Sequence, residues 1–243
     1  MKWTITKKAI AAALVALPVV ITLYLMFIVL HGPITNVSRR SKATGDLKVV
    51  AERIVATEAT PQFKFETVPT PVRPNAATSD RFTLVTGGRD LNGAPLGKLQ
   101  SGFLPSGPDA PHENFFFKDG ADGGRIGVDL NQAMDIQQVN TYSWHTTDRG
   151  PQVYKLYASD GTAAGFNPGP GATLDPLTVG WKLLASVDTR PKSGAPGGQY
   201  GVSITSPGGI VGHYRYLLFD CKRTEDVDRW VNTFYSEIDI VAK

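Results

Sequence analysis

The stretch QVNTYSWHTTDRGPQVYKLYASDG, residues 138–161, contains two runs of alternating apolar and polar residues separated by a polar turn. Alternation with a period of two is typical of strands that bury one face, so the stretch predicts β-strands at VNTYSW (139–144) and QVYKLYA (152–158). The turn between them holds His145, Asp148 and Arg149. Two interpretations of these residues stay open here: a binding site, or a structural turn that joins two strands.

The sequence after residue 80 repeats this pattern of short runs between clusters of Gly, Pro, Asn and Asp, without helical periodicity. Such a sequence predicts an all-β antiparallel sandwich. Alternation in WKLLASV (181–187) places Trp181, Leu183, Ala185 and Val187 on one face. The other predicted strands are QFKFETV (62–68), RIGVDL (125–130), YGVSI (200–204), YRYLLFD (214–220) and FYSEIDIVA (234–242).

The charge distribution separates the N-terminus from the rest of the chain. The sequence has 25 basic and 22 acidic residues, a formal net charge of +3. Six of the basic residues and none of the acidic ones lie in positions 1–42, which leaves 19 basic against 22 acidic residues, or −3, for the remainder. A nucleic-acid-binding protein needs a basic face on its folded part. The acidic remainder therefore argues against nucleic acid as a partner.

An apolar segment near the N-terminus is long enough to span a membrane. Residues 9–30 are 22 consecutive uncharged residues, mainly Ala, Val, Ile and Leu. A helix of that length covers the hydrocarbon core, which is about 30 Å thick. The apolar region of a secretory signal peptide has only about 7–15 residues. The segment predicts an uncleaved signal-anchor, with a cleaved signal peptide as the alternative.

These observations predict the domain organisation. Residues 1–8 form a short basic cytoplasmic tail, 9–30 the transmembrane helix, 31–58 a stalk and 59–243 the β-sandwich. We expect a single-pass membrane protein whose sandwich is extracytoplasmic, in the periplasm or at the cell surface, because long domains are translocated regardless of flanking charge. The lone Cys221 cannot form an intrachain disulfide, and we expect it to act as a small apolar residue at the end of a strand.

The order of the motifs resembles that of a known family. GGRIGVDLNQAMDIQQVNTYSWH, RGPQVYKLYASDG, WKLLASV, YRYLLFD and FYSEIDI follow one another within residues 80–242, as do the strands of the discoidin or coagulation-factor V/VIII type C family. The resemblance implies an antiparallel jelly-roll β-sandwich of the galactose-binding-like type. It also implies a non-catalytic domain that binds carbohydrates, phospholipid head groups or proteins through loops at one end.

Some members of this family hold a structural calcium ion between an early loop and the closing strand. Carried over to this sequence, the resemblance implies Glu237 as the closing-strand ligand, with Asp90 and Asn92 in the loop at 87–102. The sequence departs from the family at Ser101-Gly102, where an Asp-Gly pair is usual. The alternative for Asp90 and Asn92 is a turn in which their side chains cap their own backbone.

Catalytic motifs are missing from the sequence. It contains no G-x-S-x-G, H-E-x-x-H or C-x-x-C and only 4 histidines, so we expect a protein that is not an enzyme. In the resembled family the turn arginine is structural, which would make Arg149 a tie between loop carbonyls. His145 should point away from the face of Trp144, either as a strand-end residue or as a partner for a sugar hydroxyl.

A second polar cluster, CKRTEDVDRWVNTF (221–234), lies between the last two predicted strands. An exposed Trp flanked by Arg and carboxylate side chains is typical of pyranose recognition, in which the indole stacks on the sugar and the charged groups bind its hydroxyls. The alternative is an ion-paired loop whose Trp closes one end of the sandwich. The candidate ligand-binding residues of both clusters are His145, Arg149, Arg223, Glu225, Asp228, Arg229 and Trp230.

The sequence thus predicts a membrane-anchored extracytoplasmic binding module whose ligand is a carbohydrate. The competing hypothesis is a structural or protein-interaction domain that docks on an envelope or surface protein. No cofactor beyond the structural calcium is expected.

Overall fold

The computed structural model describes residues 40–71, 76–77, 81–226, 230 and 232–243. The predicted cytoplasmic tail, the transmembrane helix and residues 31–39 of the predicted stalk lie outside these residues. Within the described ranges, no helix is both long and apolar enough to cross a membrane.

The described residues form eleven β-strands and three short 3-10 helices. The 3-10 helices are Leu96–Gln100, Pro111–Glu113 and Pro176–Val179. The strands are β1 Lys42–Ala43, β2 Lys48–Val55, β3 Phe82–Leu84, β4 Phe115–Phe116, β5 Gly124–His145, β6 Val153–Ser159, β7 Lys182–Asp188, β8 Gly198–Thr205, β9 Gly212–Lys222, β10 Phe234–Tyr235 and β11 Glu237–Ala242.

The long strand β5 belongs to two sheets. Its first part pairs with β3 and β9, and β9 continues through β6 and β7 to β1, which gives the first sheet. Its second part pairs with β11 on one side and with β8 on the other, and β8 pairs with β2, which gives the second sheet. Every pairing is antiparallel, and β4 and β10 form a separate two-stranded ladder.

A bend in β5 separates the two parts. The ladder with β9 changes register between Asp129 and Met134. Asn131 lies at the bend with a positive φ of 67°, a conformation that asparagine tolerates better than most residues. Its backbone N–H donates to Asp129 Oδ1 at 2.8 Å. The two runs predicted as separate strands, RIGVDL and VNTYSW, are therefore one strand that turns a corner between the sheets.

The core lies between the two sheets. Leu156 of β6 and Phe219 of β9 come from the first sheet, and Val202 of β8 and Ile240 of β11 come from the second; all four are fully or almost fully buried in one cluster. Cys221 of β9 is buried in the same cluster, as expected of a small apolar residue. Two sheets that bury their inner faces against each other confirm the predicted antiparallel β-sandwich.

Two assignments near the start of the domain are wrong. Residues 42–55, predicted as stalk, form β1 and β2, and β2 pairs along its whole length with β8. QFKFETV (62–68), predicted as a strand, consists of turns and irregular backbone. Phe63 has a positive φ of 45°, which breaks an extended chain. Alternation in the sequence signalled burial of these side chains but not the backbone conformation.

Residues 59–71 cover the outer face of the second sheet, and we call them the strap. Phe63 is fully buried against Tyr142 and Trp144 of β5. Gly201 of β8 makes room for the strap, because a Cβ there would meet the Phe65 ring at 2.7 Å. Tyr142 donates its hydroxyl to the strap at Pro69 O. Both faces of the second sheet are thus buried.

The face predicted for WKLLASV is wrong for Trp181 and Leu183. The pairing of β7 with β6 shifts register by one residue, which is a β-bulge, and Leu184 is the extra residue. Ala185 and Val187 point into the core, whereas Leu183 and Trp181 lie on the outer face of the first sheet. Strict alternation cannot reveal a bulge, because the extra residue reverses the side on which every preceding side chain lies.

Candidate functional site

Four loops meet at one end of the sandwich, which we call the loop end: residues 107–114, 118–123, 145–150 and the described part of 222–233. Gly120 N donates to Trp230 O at 2.9 Å, and Thr224 Oγ1 donates to Asp148 O at 2.8 Å. Asp109 joins the first loop to β5 through its backbone N–H and Trp144 O, 3.4 Å apart. The two polar clusters noted in the sequence are therefore neighbours.

A buried hydrogen-bond network holds the turn at 145–150 from beneath. The side chain of Gln152 is fully buried and donates to Ser143 Oγ, Thr141 O and Tyr200 O. Ser143 Oγ in turn donates to Gly150 O at 2.6 Å. A buried network of this kind has few alternative arrangements, so the turn starts from a fixed base.

His145 is a buried part of this turn, 2 % exposed. Its Nδ1 accepts the backbone N–H of Thr147 at 3.0 Å, which places the ring proton of the neutral form on Nε2. Nε2 lies 3.4 Å from Asp109 Oδ2, and the ring packs edge-on against Phe234. His145 points away from Trp144, as expected, because Trp144 packs under the strap instead. His145 is therefore separated from solvent, and Asp109 is its exposed neighbour.

Arg149 connects three of the loops. Its Nη1 donates to Asn232 Oδ1 at 2.8 Å, and its Nη2 lies 3.9 Å from Asp109 Oδ2. These contacts are with side chains, whereas the resemblance implied contacts with loop carbonyls. Asp109, Arg149 and Asn232 form a continuous polar row across the loop end.

Asp109 is the most exposed member of this row, with 43 % of its side chain accessible. Its backbone has a positive φ of 50°. The neighbouring side chain of His145 holds the pKa of the Asp109 carboxyl below its usual value, and the charge of Arg149 acts in the same direction. Asp109 and Asn232 were both missed by the sequence analysis. Nothing in the local patterns GPDAP or VNTF shows that these loops meet.

The second cluster forms the rim of the loop end. Among the described residues, Trp230 is one of a few large apolar side chains that are exposed, at 41 %. Arg223 and Lys222 each lie 3.7 Å from the carboxylate of Asp122. Glu225 has one carboxylate oxygen shielded from solvent. The other two candidates of this cluster, Asp228 and Arg229, lie outside the described residues.

The predicted calcium ligands are tied to different segments. Asp90 Oδ1 accepts the backbone N–H of Asn92 at 2.8 Å, the capped turn considered as the alternative. Glu237 accepts from Gly102 N at 2.9 Å and from Ser101 Oγ at 3.2 Å. Burial raises the pKa of Glu237 to about 8. Across the described residues, no three His, Cys, Asp or Glu side chains group around a possible metal position.

This geometry does not favour calcium. A hard cation needs oxygen ligands that converge on one point. The N–H and O–H donors that reach Glu237 instead satisfy the carboxyl without a metal. The calcium site stays a prediction.

Similarity to known proteins is limited to weak structural likeness. No protein-family model and no curated protein matches the sequence. A fucose binding module of Streptococcus pneumoniae is 11% identical, with a TM-score of 0.44 over 70% of this chain and 98% of that one. CBM32-1 from a family 31 glycoside hydrolase of Clostridium perfringens is 15% identical, with a TM-score of 0.41 over 70% and 99%.

A third solved structure is the lectin domain of lectinolysin in complex with Lewis B antigen. It is 12% identical to this chain, with a TM-score of 0.42 over 70% of this chain and 98% of that domain. Likeness at this level carries no conclusion about what this chain binds.

Proposed function

We propose that this protein is a carbohydrate-binding module and that its ligand binds at the loop end. The observation that carries the proposal is the polar row of Asp109, Arg149 and Asn232, with the exposed side chain of Trp230 two residues before Asn232 in the chain. Asn232, two residues after Trp230, is bonded to Arg149, so the indole belongs to the same local structure.

The polar row suits neighbouring hydroxyl groups. A sugar hydroxyl donates one hydrogen bond and accepts others. The carboxylate of Asp109 accepts, and the guanidinium of Arg149 and the amide of Asn232 donate. Because these side chains bind one another across three loops, they are held in place before a ligand arrives, which lowers the entropic cost of binding.

Trp230 supplies an apolar surface for the C–H face of a pyranose ring. A ligand on a shallow surface keeps much of its area in solvent, so we expect weak binding of a monosaccharide, with a Kd on the order of 1 mM. Affinity would come from stacking, and specificity from the polar row.

We further propose that the module belongs to the discoidin type and is anchored outside the cytoplasm by residues 9–30. The order of the strand motifs and the uncharged run in the sequence support these two parts of the proposal. Protease protection in sealed membranes tests the topology: cleavage of the domain from the cytoplasmic side would contradict it.

A glycan array probed with the full-length chain tests the function. We expect retention on glycans that share one terminal sugar. The array is run with calcium and with EDTA. We expect the same retention in both, because Glu237 already has two hydrogen-bond donors. Loss of retention in EDTA would instead support the predicted calcium site.

A blank array with a folded chain would contradict carbohydrate binding. Purification from detergent then separates the remaining hypothesis: a stoichiometric protein partner would favour docking on an envelope or surface protein. Loss of a glycan from the array over time would indicate an enzyme.

A further inference from the structure

We propose that Asp109 makes the loop end select uncharged sugars over sugars that carry a carboxylate. This inference rests on the carbohydrate-binding function proposed above and names the class of ligand that the same site takes. It assigns Asp109 as a specificity-determining residue.

Asp109 has an unusual backbone conformation for a loop residue. Its left-handed backbone, φ 50°, is uncommon for a residue other than glycine. A residue held in this conformation by its surroundings is a candidate for function. The backbone N–H is 3.4 Å from Trp144 O, and the carboxylate faces both His145 and Arg149. These contacts aim the side chain across the loop end while 43 % of it stays exposed.

Three of the described cations at the loop end already have carboxylate partners. Arg149 lies near the carboxylate of Asp109, and Lys222 and Arg223 both lie near the carboxylate of Asp122. An anionic sugar would therefore compete with a carboxylate that is already in place. It would also meet the exposed negative charges of Asp109 and Asp122. An uncharged sugar avoids this repulsion, and one of its hydroxyl groups can donate a hydrogen bond to Asp109.

Asp109 keeps its charge under ordinary conditions. The neighbouring side chain of His145 and the charge of Arg149 lower the pKa of its carboxyl. A purely structural residue at this position would need only an acceptor for His145, which an asparagine also provides. The carboxylate adds charge, and charge discriminates between otherwise matched ligands.

The test compares terminal hexoses with the hexuronic acids that differ from them only by oxidation at C6. The full-length chain and the variant Asp109→Asn are probed on an array of both series. Asparagine keeps an acceptor oxygen and tolerates positive φ. The matched control is Asp46→Asn, which removes one charge from the exposed connection between β1 and β2.

We expect the wild-type chain to bind hexoses about tenfold better than the matched hexuronates, from one like charge near the ligand. Asp109→Asn should reduce this preference to within about threefold, whereas Asp46→Asn should keep it. Equal binding of both series by the wild type would overturn the inference and leave the proposed function standing. An unchanged preference in folded Asp109→Asn would also overturn it.

Salt gives a second measurement that needs no variant. Raising NaCl from about 20 mM to about 500 mM screens the exposed carboxylates and should raise hexuronate binding relative to hexose binding. A ratio that does not change with salt would contradict the inference even if Asp109→Asn does not fold. Wild-type binding to neither series would reject the proposed function and this inference with it.

Discussion

The turn at 145–150 and the loop at 222–233 both border the loop end, but different contacts hold them. The turn rests on the buried side chain of Gln152, whose hydrogen bonds reach β5 and β8. The described part of the loop is attached through hydrogen bonds to neighbouring loops, such as that from Thr224 to Asp148 O, and through ion pairs at the surface.

This difference suggests different parts for the two segments in the proposed binding. The turn fixes Arg149, whose hydrogen bonds depend on accurate geometry. The loop carries the indole of Trp230, and stacking tolerates small displacements better than a hydrogen bond does. Substitutions in the base of the turn should therefore reduce stability, whereas substitutions in the loop should act on binding or on local opening.

The largest effect is expected for Gln152→Ala. The change leaves the hydroxyls of Thr141 and Ser143 and the carbonyl of Tyr200 without this buried partner, and it removes buried volume. We expect a loss of about 2–4 kcal/mol in the free energy of unfolding, measured by urea denaturation. Gln132→Ala, at an exposed position of β5, should stay within about 0.5 kcal/mol. Equal effects of the two would show that the network does not hold the turn.

Arg149→Lys tests the contact that joins the two segments. Lysine keeps the charge but cannot reproduce the fork that reaches Asn232 and Asp109 at once. We expect affinity for the array-selected glycan to fall about tenfold or more by calorimetry, equivalent to about 1.5–3 kcal/mol. The control is Arg190→Lys, since Arg190 pairs with Asp188 in a different part of the chain. Unchanged affinity in Arg149→Lys would remove Arg149 from the site.

Thr224→Val sharpens the comparison from the side of the loop. It removes the hydrogen bond to Asp148 O and keeps a similar shape. We expect about 1 kcal/mol of local stability to be lost, seen as faster hydrogen exchange in residues 222–226, with the urea midpoint almost unchanged. Thr162→Val, which removes a hydroxyl contact from an exposed turn, is the control. A large fall in the global free energy of unfolding would mean that the loop contributes to global stability as strongly as the turn does.

The smallest effect is expected from pH. The folded-state pKa of Asp109 lies below its usual value, so its contribution to stability is complete above the unfolded value, which is near 3.8, and is lost as pH falls through the folded value. Stability from this group should be flat between pH 7 and 5. Below about pH 3.8 wild type should lose a few tenths of a kcal/mol more than Asp109→Asn, because solvent screens a half-exposed pair. The measurement is urea unfolding at pH 6 and at pH 3.

Most strands could be predicted from the sequence because one or both of their faces lie in the core. Alternation located β6, β8, β9 and both halves of β5. It failed for residues 62–68, where the strap buries alternate aromatic residues without strand geometry, and in β7, where a bulge reverses the faces. It also missed β2, whose partner β8 lies roughly 150 residues away in the chain.

The candidate site could be predicted only in part, for a related reason. His145 and Arg149 follow a clear strand, so their place at its end could be inferred. Asp109 and Asn232 lie in loops without a repeating pattern, and only the folded topology brings them to Arg149. Side chains that act together across loops carry no mark of it in their local sequence.

Binding by the Trp230→Ala variant tests the central claim most directly. Affinity for the array-selected glycan is measured by calorimetry for the full-length wild type, for Trp230→Ala and for Leu177→Ala, which truncates another exposed apolar side chain, 53 % accessible, in the 3-10 helix at Pro176–Val179. We predict that Trp230→Ala loses about tenfold or more in affinity, because the stacking surface is gone, while its melting temperature stays close to that of the wild type. Leu177→Ala should bind normally. Wild-type affinity in folded Trp230→Ala would contradict carbohydrate binding at the loop end.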